Sequence, residues 1–165
     1  MKMELIQPFI NSADAVLAQG LQCRTAIGSL SMEEEGYRRK GLAASVSFKG
    51  EIQGRVILDM DPQAATQVAS YLAGEEVDSA QPIVREAVCE LANMVIGNAV
   101  TQLNDRGFQF KVFPPEVLTE EQCAAAGQDS EATILCFETP SGNVYLDISM
   151  QYHRRRSRER STVAV

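Results

Sequence analysis

Residues 84–101, VREAVCELANMVIGNAVT, constrain the chain more than any other stretch, because they obey the amphipathic-helix pattern on one side and break it on the other. At about 100° per residue, Ile83, Ala87, Val88, Leu91, Met94, Val95 and Ala99 share one broad apolar arc, which reads as a core face. Opposite it, Glu86, Glu90, Asn93 and Gly97 gather on a narrow stripe, with Gly97 between the directions of Glu90 and Asn93. Two acids, an amide and bare backbone make a surface suited to being approached. Asn98 falls inside the apolar arc beside Leu91. The wheel therefore predicts a buried, structural amide that hydrogen-bonds to the backbone of a neighbouring segment.

The flanking segments supply the core on which such a helix must lie. Residues 3–19 carry Leu5, Ile6, Phe9, Ile10, Ala13, Val16 and Leu17 at helical spacing, ending at Gly20. A strand is expected near 23–30, followed by an exposed loop over 31–40, where charged residues show no periodicity. Leu42, Ala44, Val46 and Phe48 alternate, Lys49, Gly50 and Glu51 turn, and Ile52, Gly54, Val56, Leu58 and Met60 alternate again, the pattern of a hairpin. Asp61 as cap and Pro62 as first residue open a second helix that Gly74 stops. Asp78 or Ser79 is the expected cap of the central helix, with Pro82 in its first turn and Gly107 closing it.

Beyond Gly107, a short strand is broken by Pro114 and Pro115, and a polar loop spans 119–130. Two further strands, 132–138 and 143–150, are joined through Pro140, Ser141 and Gly142. This order predicts an α/β domain of the α+β type, with a mixed, largely antiparallel sheet covered by helices on one side. A helix followed by strands recurs in each half, a sign of two related halves.

A chain of 165 residues matches one domain and can bury a core without disulfides or a structural metal. No apolar run approaches bilayer length, and the opening MKMELIQPFINSADAV places Glu4, Pro8, Asn11 and Asp14 where a secretory signal needs continuous apolar residues. The expected location is cytoplasmic, with no membrane contact. The net charge of −7 hides an asymmetry: five arginines against Glu159 give the carboxyl end +4, so residues 1–153 carry −11. Residues 1–151 are expected to form the folded domain and 152–165 a basic, disordered tail. So acidic a body repels nucleic acid and suits a basic partner surface.

Several chemistries drop out. Cys23, Cys89, Cys123 and Cys136 include no C-x-x-C, so they read as reduced, mostly buried thiols rather than a zinc or redox site. His153, the only histidine, sits at the edge of the tail, which leaves no ordinary Ser-His or Cys-His nucleophile. No Gly-rich phosphate loop or convergent polar pocket supports a ligand-sensing domain.

The string ELANMVIGNA at 90–99 resembles the signature helix of the CheC/CheX/FliY phosphatases of bacterial chemotaxis, the CheX members most closely. MKMELIQPFINSADAVL at the start is similar to the first CheX helix, and GRVIL at 54–58 with LAGE at 72–75 is similar to the middle of that family. The resemblance covers about residues 1–151.

It implies a macromolecular substrate: the phospho-aspartate of a response-regulator receiver domain, CheY or a relative. The receiver's own Mg²⁺ and lysine hold the acyl phosphate, so this chain needs no cofactor or metal ligand of its own. Asn93 would orient the attacking water, and Glu90 would pair with the regulator's lysine. Glu86 stands where the family usually shows Asp or Ser, and with Gly97 it joins the partner-binding surface. Glu86 and Glu90 at i, i+4 cost an isolated helix about 0.2–0.5 kcal/mol, an acidic pairing that a basic partner would relieve. Only one site is implied, because Pro8 stands three residues before Asn11 where a second motif needs glutamate. A homodimer paired through the sheets also follows from the resemblance. The alternative is an adaptor or flagellar-switch component that binds the phosphorylated regulator without hydrolysing it.

Overall fold

The computed structural model describes residues 3–33, 39–118 and 131–151. Cys123, His153, the whole 119–130 loop and the 152–165 tail lie outside these described residues. The elements run α1 (Met3–Leu21), β1 (Ala26–Glu33), β2 (Leu42–Gly50), β3 (Gln53–Met60), α2 (Pro62–Ala73), α3 (Ile83–Asp105), β4 (Phe110–Val112), β5 (Glu116–Leu118), β6 (Glu131–Thr139) and β7 (Gly142–Gln151).

Seven strands form one sheet in the order β1-β6-β7-β3-β2-β4, with β5 beside β4 on β2, and every pairing is antiparallel. Matching β1 to β4 and β5, β2 to β6 and β3 to β7 reproduces the same order from the opposite edge, so the sheet repeats the two-halves pattern of the sequence. Strand alternation separates its faces. Ala44, Val46, Phe48, Val56, Leu58, Met60, Leu135, Phe137, Val144, Leu146 and Ile148 join the helices in one core. The reverse face holds a smaller cluster of Ala43, Ile57, Leu118 and Ile134, with Tyr145 against it. The expected helix layer is thus found on one face, and α3 packs beneath it onto β2 and β3 while α1 and α2 flank it.

Local differences from expectation have local causes. α1 runs through Gly20 to Leu21, with Gly20 buried beside Val68 and Leu91 and without a positive φ; the left-handed residue after the helix is Gln22, at φ 53°. β1 extends to Glu33 into the expected loop, since its register with β6 continues from Ala26 opposite Glu138 to Glu33 opposite Ala132. Asp61 occupies the cap position of α2 without capping it. Its carboxylate accepts the N–H of Asn143 at 2.8 Å, and its own N–H donates to the Asn143 carbonyl at 3.0 Å, tying α2 to the β6–β7 turn.

Neither Asp78 nor Ser79 caps α3. The Asp78 carboxylate instead accepts the N–H of Ala80 at 3.1 Å, and α3 begins on the carbonyls of Gln81 and Pro82. Its far end closes as predicted. Phe108 N–H donates to Leu103 at 3.1 Å and Gly107 N–H to Asn104 at 2.9 Å, a Schellman closure that needs the positive φ of Gly107, 99°.

Candidate functional site

The sequence of α3 decides what it offers to solvent. Val84, Ala87, Val88, Leu91, Ala92, Val95, Ile96, Ala99, Val100 and Leu103 are buried; of the seven residues expected on the arc, Ile83 and Met94 are only half-buried, while Val84, Ala92, Ile96, Val100 and Leu103 widen it. Glu86, Glu90, Asn93 and Gly97 are all exposed. At about 1.5 Å rise per residue the stripe runs roughly 16 Å along the helix, with Glu90 and Asn93 about 4.5 Å apart in height and about 60° apart in direction. Both side chains therefore project from the same convex ridge.

Asn98 is exposed, not buried as the wheel predicted. A wheel superposes residues that lie at different heights. Over the first turns the buried set centres on Val84, Leu91 and Val95, whereas the last turns bury Ile96, Val100 and Leu103. By the same geometry that second set is rotated by roughly 130°. Asn98 shares Leu91's direction but stands two turns later, where the helix has turned that side to solvent.

Gly97 has no atom within 4 Å of the place a Cβ would occupy, so nothing in this fold excludes a side chain there. A glycine inside a helix costs about 0.5–1 kcal/mol relative to alanine. The cost is borne at the one point of the stripe where an incoming surface would touch backbone. Thr101 Oγ1 donates to the Gly97 carbonyl at 2.9 Å, so that oxygen is already engaged.

The thiol beside the stripe is not a nucleophile in waiting. Burial pushes the Cys89 thiol up, and the charge of Glu86 pushes it the same way, which keeps it protonated at neutral pH. Cys23 and Cys89 are half-buried and only Cys136 is fully buried, so the expectation of mostly buried thiols holds for one of the three described cysteines. Among the described residues no group of three His, Cys, Asp or Glu side chains could hold a metal ion. An open depression of about 500 Å³, lined by Asn104, Gly107, Phe108, Gln109 and Phe110, lies at the far end of α3 and includes none of the four stripe residues. The stripe is an exposed ridge apart from that depression.

On α1, Pro8 is buried and Asn11 is exposed, its carbonyl accepting the Gln7 amide at 2.8 Å. The position that would hold a second glutamate thus faces the core. No described helix is long and apolar enough to cross a membrane.

Known proteins share this architecture. A CheC-like superfamily protein from Shewanella sp. PV-4 superposes with a TM-score of 0.81 at 23% identity, covering 92% of this chain and 99% of that one. The chemotaxis protein CheX from Vibrio vulnificus gives 0.78 at 21% identity, covering 90% and 99%. CheX from Borrelia burgdorferi, solved as a complex with CheY, BeF₃ and Mg²⁺, is 30% identical over 91% of this chain and 99% of that one, at a TM-score of 0.67. No curated protein sequence matches significantly. The sequence pattern of the family described as chemotaxis phosphatase CheX matches residues 42–139, which include β2, β3, all of α3 and the whole Glu86 to Gly97 stripe. With that match over more than half of its length, and a relative 30% identical along nearly all of it, the chain belongs to the CheX family of chemotaxis phosphatases.

Proposed function

We propose that this protein hydrolyses the phospho-aspartate of a CheY-like receiver domain, with Glu90 and Asn93 as the residues that meet it. The observation that carries this reading is the exposed Glu90–Asn93 pair on a convex helix, within the stretch that matches the phosphatase family. The Borrelia relative, crystallised with CheY, BeF₃ and Mg²⁺, supports the choice of partner and a Mg²⁺ that arrives with the regulator.

An acyl phosphate asks little of its catalyst. Water attacks phosphorus in line, the bond from phosphorus to the acyl oxygen breaks, and an aspartate carboxylate leaves. A carboxylate with a pKa of about 4 departs without a general acid. The regulator's cation and lysine balance the phosphoryl charge, so the missing element is an oriented water. The Asn93 carboxamide can accept a hydrogen bond from that water and donate another toward the phosphoryl oxygens without ionising. Glu90, nearly one turn earlier, pairs with the regulator's lysine and sets how deep Asn93 enters, while Glu86 and Gly97 extend the docking surface.

We place the folded unit at residues 1–151 and the protein in the cytoplasm beside its substrate. We also propose a homodimer. β1 at one edge of the sheet pairs only with β6 among the described strands, whereas the opposite edge is split between β4 and β5 around Pro114 and Pro115.

The direct test mixes the protein with a receiver domain phosphorylated in Mg²⁺ and follows phosphate loss. Acceleration at substoichiometric protein supports the reading; stable binding of the phosphorylated regulator without acceleration would establish the adaptor alternative instead.

Two further outcomes are expected. Glu90→Ala raises KM for the phosphorylated regulator several-fold. The wild-type kcat/KM also falls as salt rises past physiological strength, where the screening length is about 8 Å, and the variant loses part of that salt dependence. A rate indifferent to both changes would remove Glu90 from the interface. Gly97→Ala separates stability from function: it stabilises the fold by about 0.5–1 kcal/mol, because the site is open, yet slows dephosphorylation by keeping the partner off the helix backbone. A variant both more stable and equally active contradicts a contact at Gly97.

A further inference from the structure

The buried surface of α3 sets Leu91, Ile96 and Leu103 among smaller side chains, Ala87, Ala92, Ala99, Val84, Val88, Val95 and Val100, and α1, its main helical neighbour, meets it with Gly20 close to Leu91. Small side chains let two helices approach closely, but such an interface tolerates a slide or a rotation of the order of a side-chain radius at little cost. Apolar packing of this kind secures stability before it secures a unique arrangement. A buried polar contact specifies register more sharply, because displacement by even 1 Å breaks it.

One such contact joins α1 and α3. Ser12 is 3% exposed, and its hydroxyl donates to the backbone carbonyl of Val95 at 2.8 Å. Val95 lies two residues after Asn93 and two before Gly97, so the bond grips the inner side of the same turn whose outer side carries the site. At the far end, an Arg106 guanidinium N–H donates to the Glu4 carbonyl at 3.1 Å, but that bond is exposed to water and lies about 16 Å along the helix from Val95. The inner bond is the one that holds the site turn.

We propose that Ser12 is a positioning residue for this site: through the Val95 carbonyl it sets the axial and rotational register of α3, and with it the depth and angle at which Asn93 meets the regulator. This rests on the phosphatase reading for its consequence in the rate, but not for the tie itself. Near-attack geometry is demanding, and a misplacement of about 1 Å can cost up to 10²-fold in rate. Ser12→Ala leaves the fold intact, since Val95 keeps its helical partner four residues on and no buried donor is orphaned.

The test compares Ser12→Ala with Ile134→Val, a control that thins the small cluster on the reverse face of the sheet and lowers the unfolding midpoint by a similar few degrees. With a phosphorylated receiver domain and Mg²⁺, Ser12→Ala is expected to lower kcat about tenfold with KM nearly unchanged, whereas the control leaves both alone. Residue-resolved hydrogen exchange is read on the same proteins without any regulator. The amides of residues 93–99 are expected to exchange about five- to tenfold faster in Ser12→Ala than in the control.

Equal protection in the two variants overturns the tie, and a kcat that follows the control overturns the positioning role. Should the wild-type protein fail to accelerate dephosphorylation, the phosphatase reading fails by itself, and the exchange measurement still decides whether Ser12 sets the register of α3.

Discussion

Asn93→Ala is expected to return hydrolysis of the regulator's acyl phosphate to the regulator's own rate, a fall on the order of 10²-fold or more. The magnitude follows from the role proposed for the amide. With Mg²⁺ and lysine supplied by the partner, orienting the water is the contribution left to this helix, and alanine removes both the donor and the acceptor that perform it. The fold should not notice. Asn93 is exposed on α3, its truncation opens no cavity, and alanine is the better helix former, so the unfolding midpoint stays or rises slightly. Binding of the phosphorylated regulator persists through Glu90. Single-turnover dephosphorylation, read beside a binding titration, checks this. Retention of the wild-type rate would sink the assignment of Asn93, and loss of binding in parallel with rate would move the residue from catalysis to docking.

Phe9→Ala acts in the opposite way, on stability and not on chemistry. Phe9 is fully buried on α1, and its ring stacks on Phe48 of β2 at 5.7 Å. Phe48 meets Phe110 edge to face at 5.4 Å, and Phe110 stacks on Phe108 at 6.1 Å, so one aromatic run joins α1, the sheet and the closure of α3. Removing a core phenylalanine costs about 3–5 kcal/mol, partly for the lost burial and partly for the cavity. Against a total stability of about 5–15 kcal/mol, that leaves a protein close to its unfolding threshold. At roughly 2–4 °C per kcal/mol for a chain of this size, the thermal midpoint should fall by roughly 6–20 °C. Circular dichroism melting curves measure it. A fall of less than about 2 °C would show that the ring is not part of the core.

Much of this protein was legible because its signals are local. Alternating apolar residues from Leu42 to Met60 specify β2 and β3, and the antiparallel register of Phe48 opposite Gly54 follows from the short turn between them. Gly74 and Gly107, both with positive φ, end the helices they were expected to end. The stripe of Glu86, Glu90, Asn93 and Gly97 was legible too, since one exposed face of one helix depends only on periodicity. The family match spans that stripe and makes it the candidate site.

What misled the one-dimensional reading were groups with two possible partners. Asp61 had the residue type and place of a helix cap, but the turn that begins β7 competes for its carboxylate and wins. Gly20 had the type of a helix terminator, yet it is buried within α1 beside Val68 and Leu91, and the positive φ falls on Gln22 instead.

The sequence by itself determined every element but β5, the outward stripe and the family, because backbone periodicity, turn residues and a contiguous motif need no knowledge of distant contacts. Only the tertiary structure decided which way Asn98 points and what Ser12 holds. The inward face of α3 rotates along its length as its neighbours change, and the serine on α1 meets a carbonyl 83 positions away, a contact set by packing in three dimensions that no local pattern encodes.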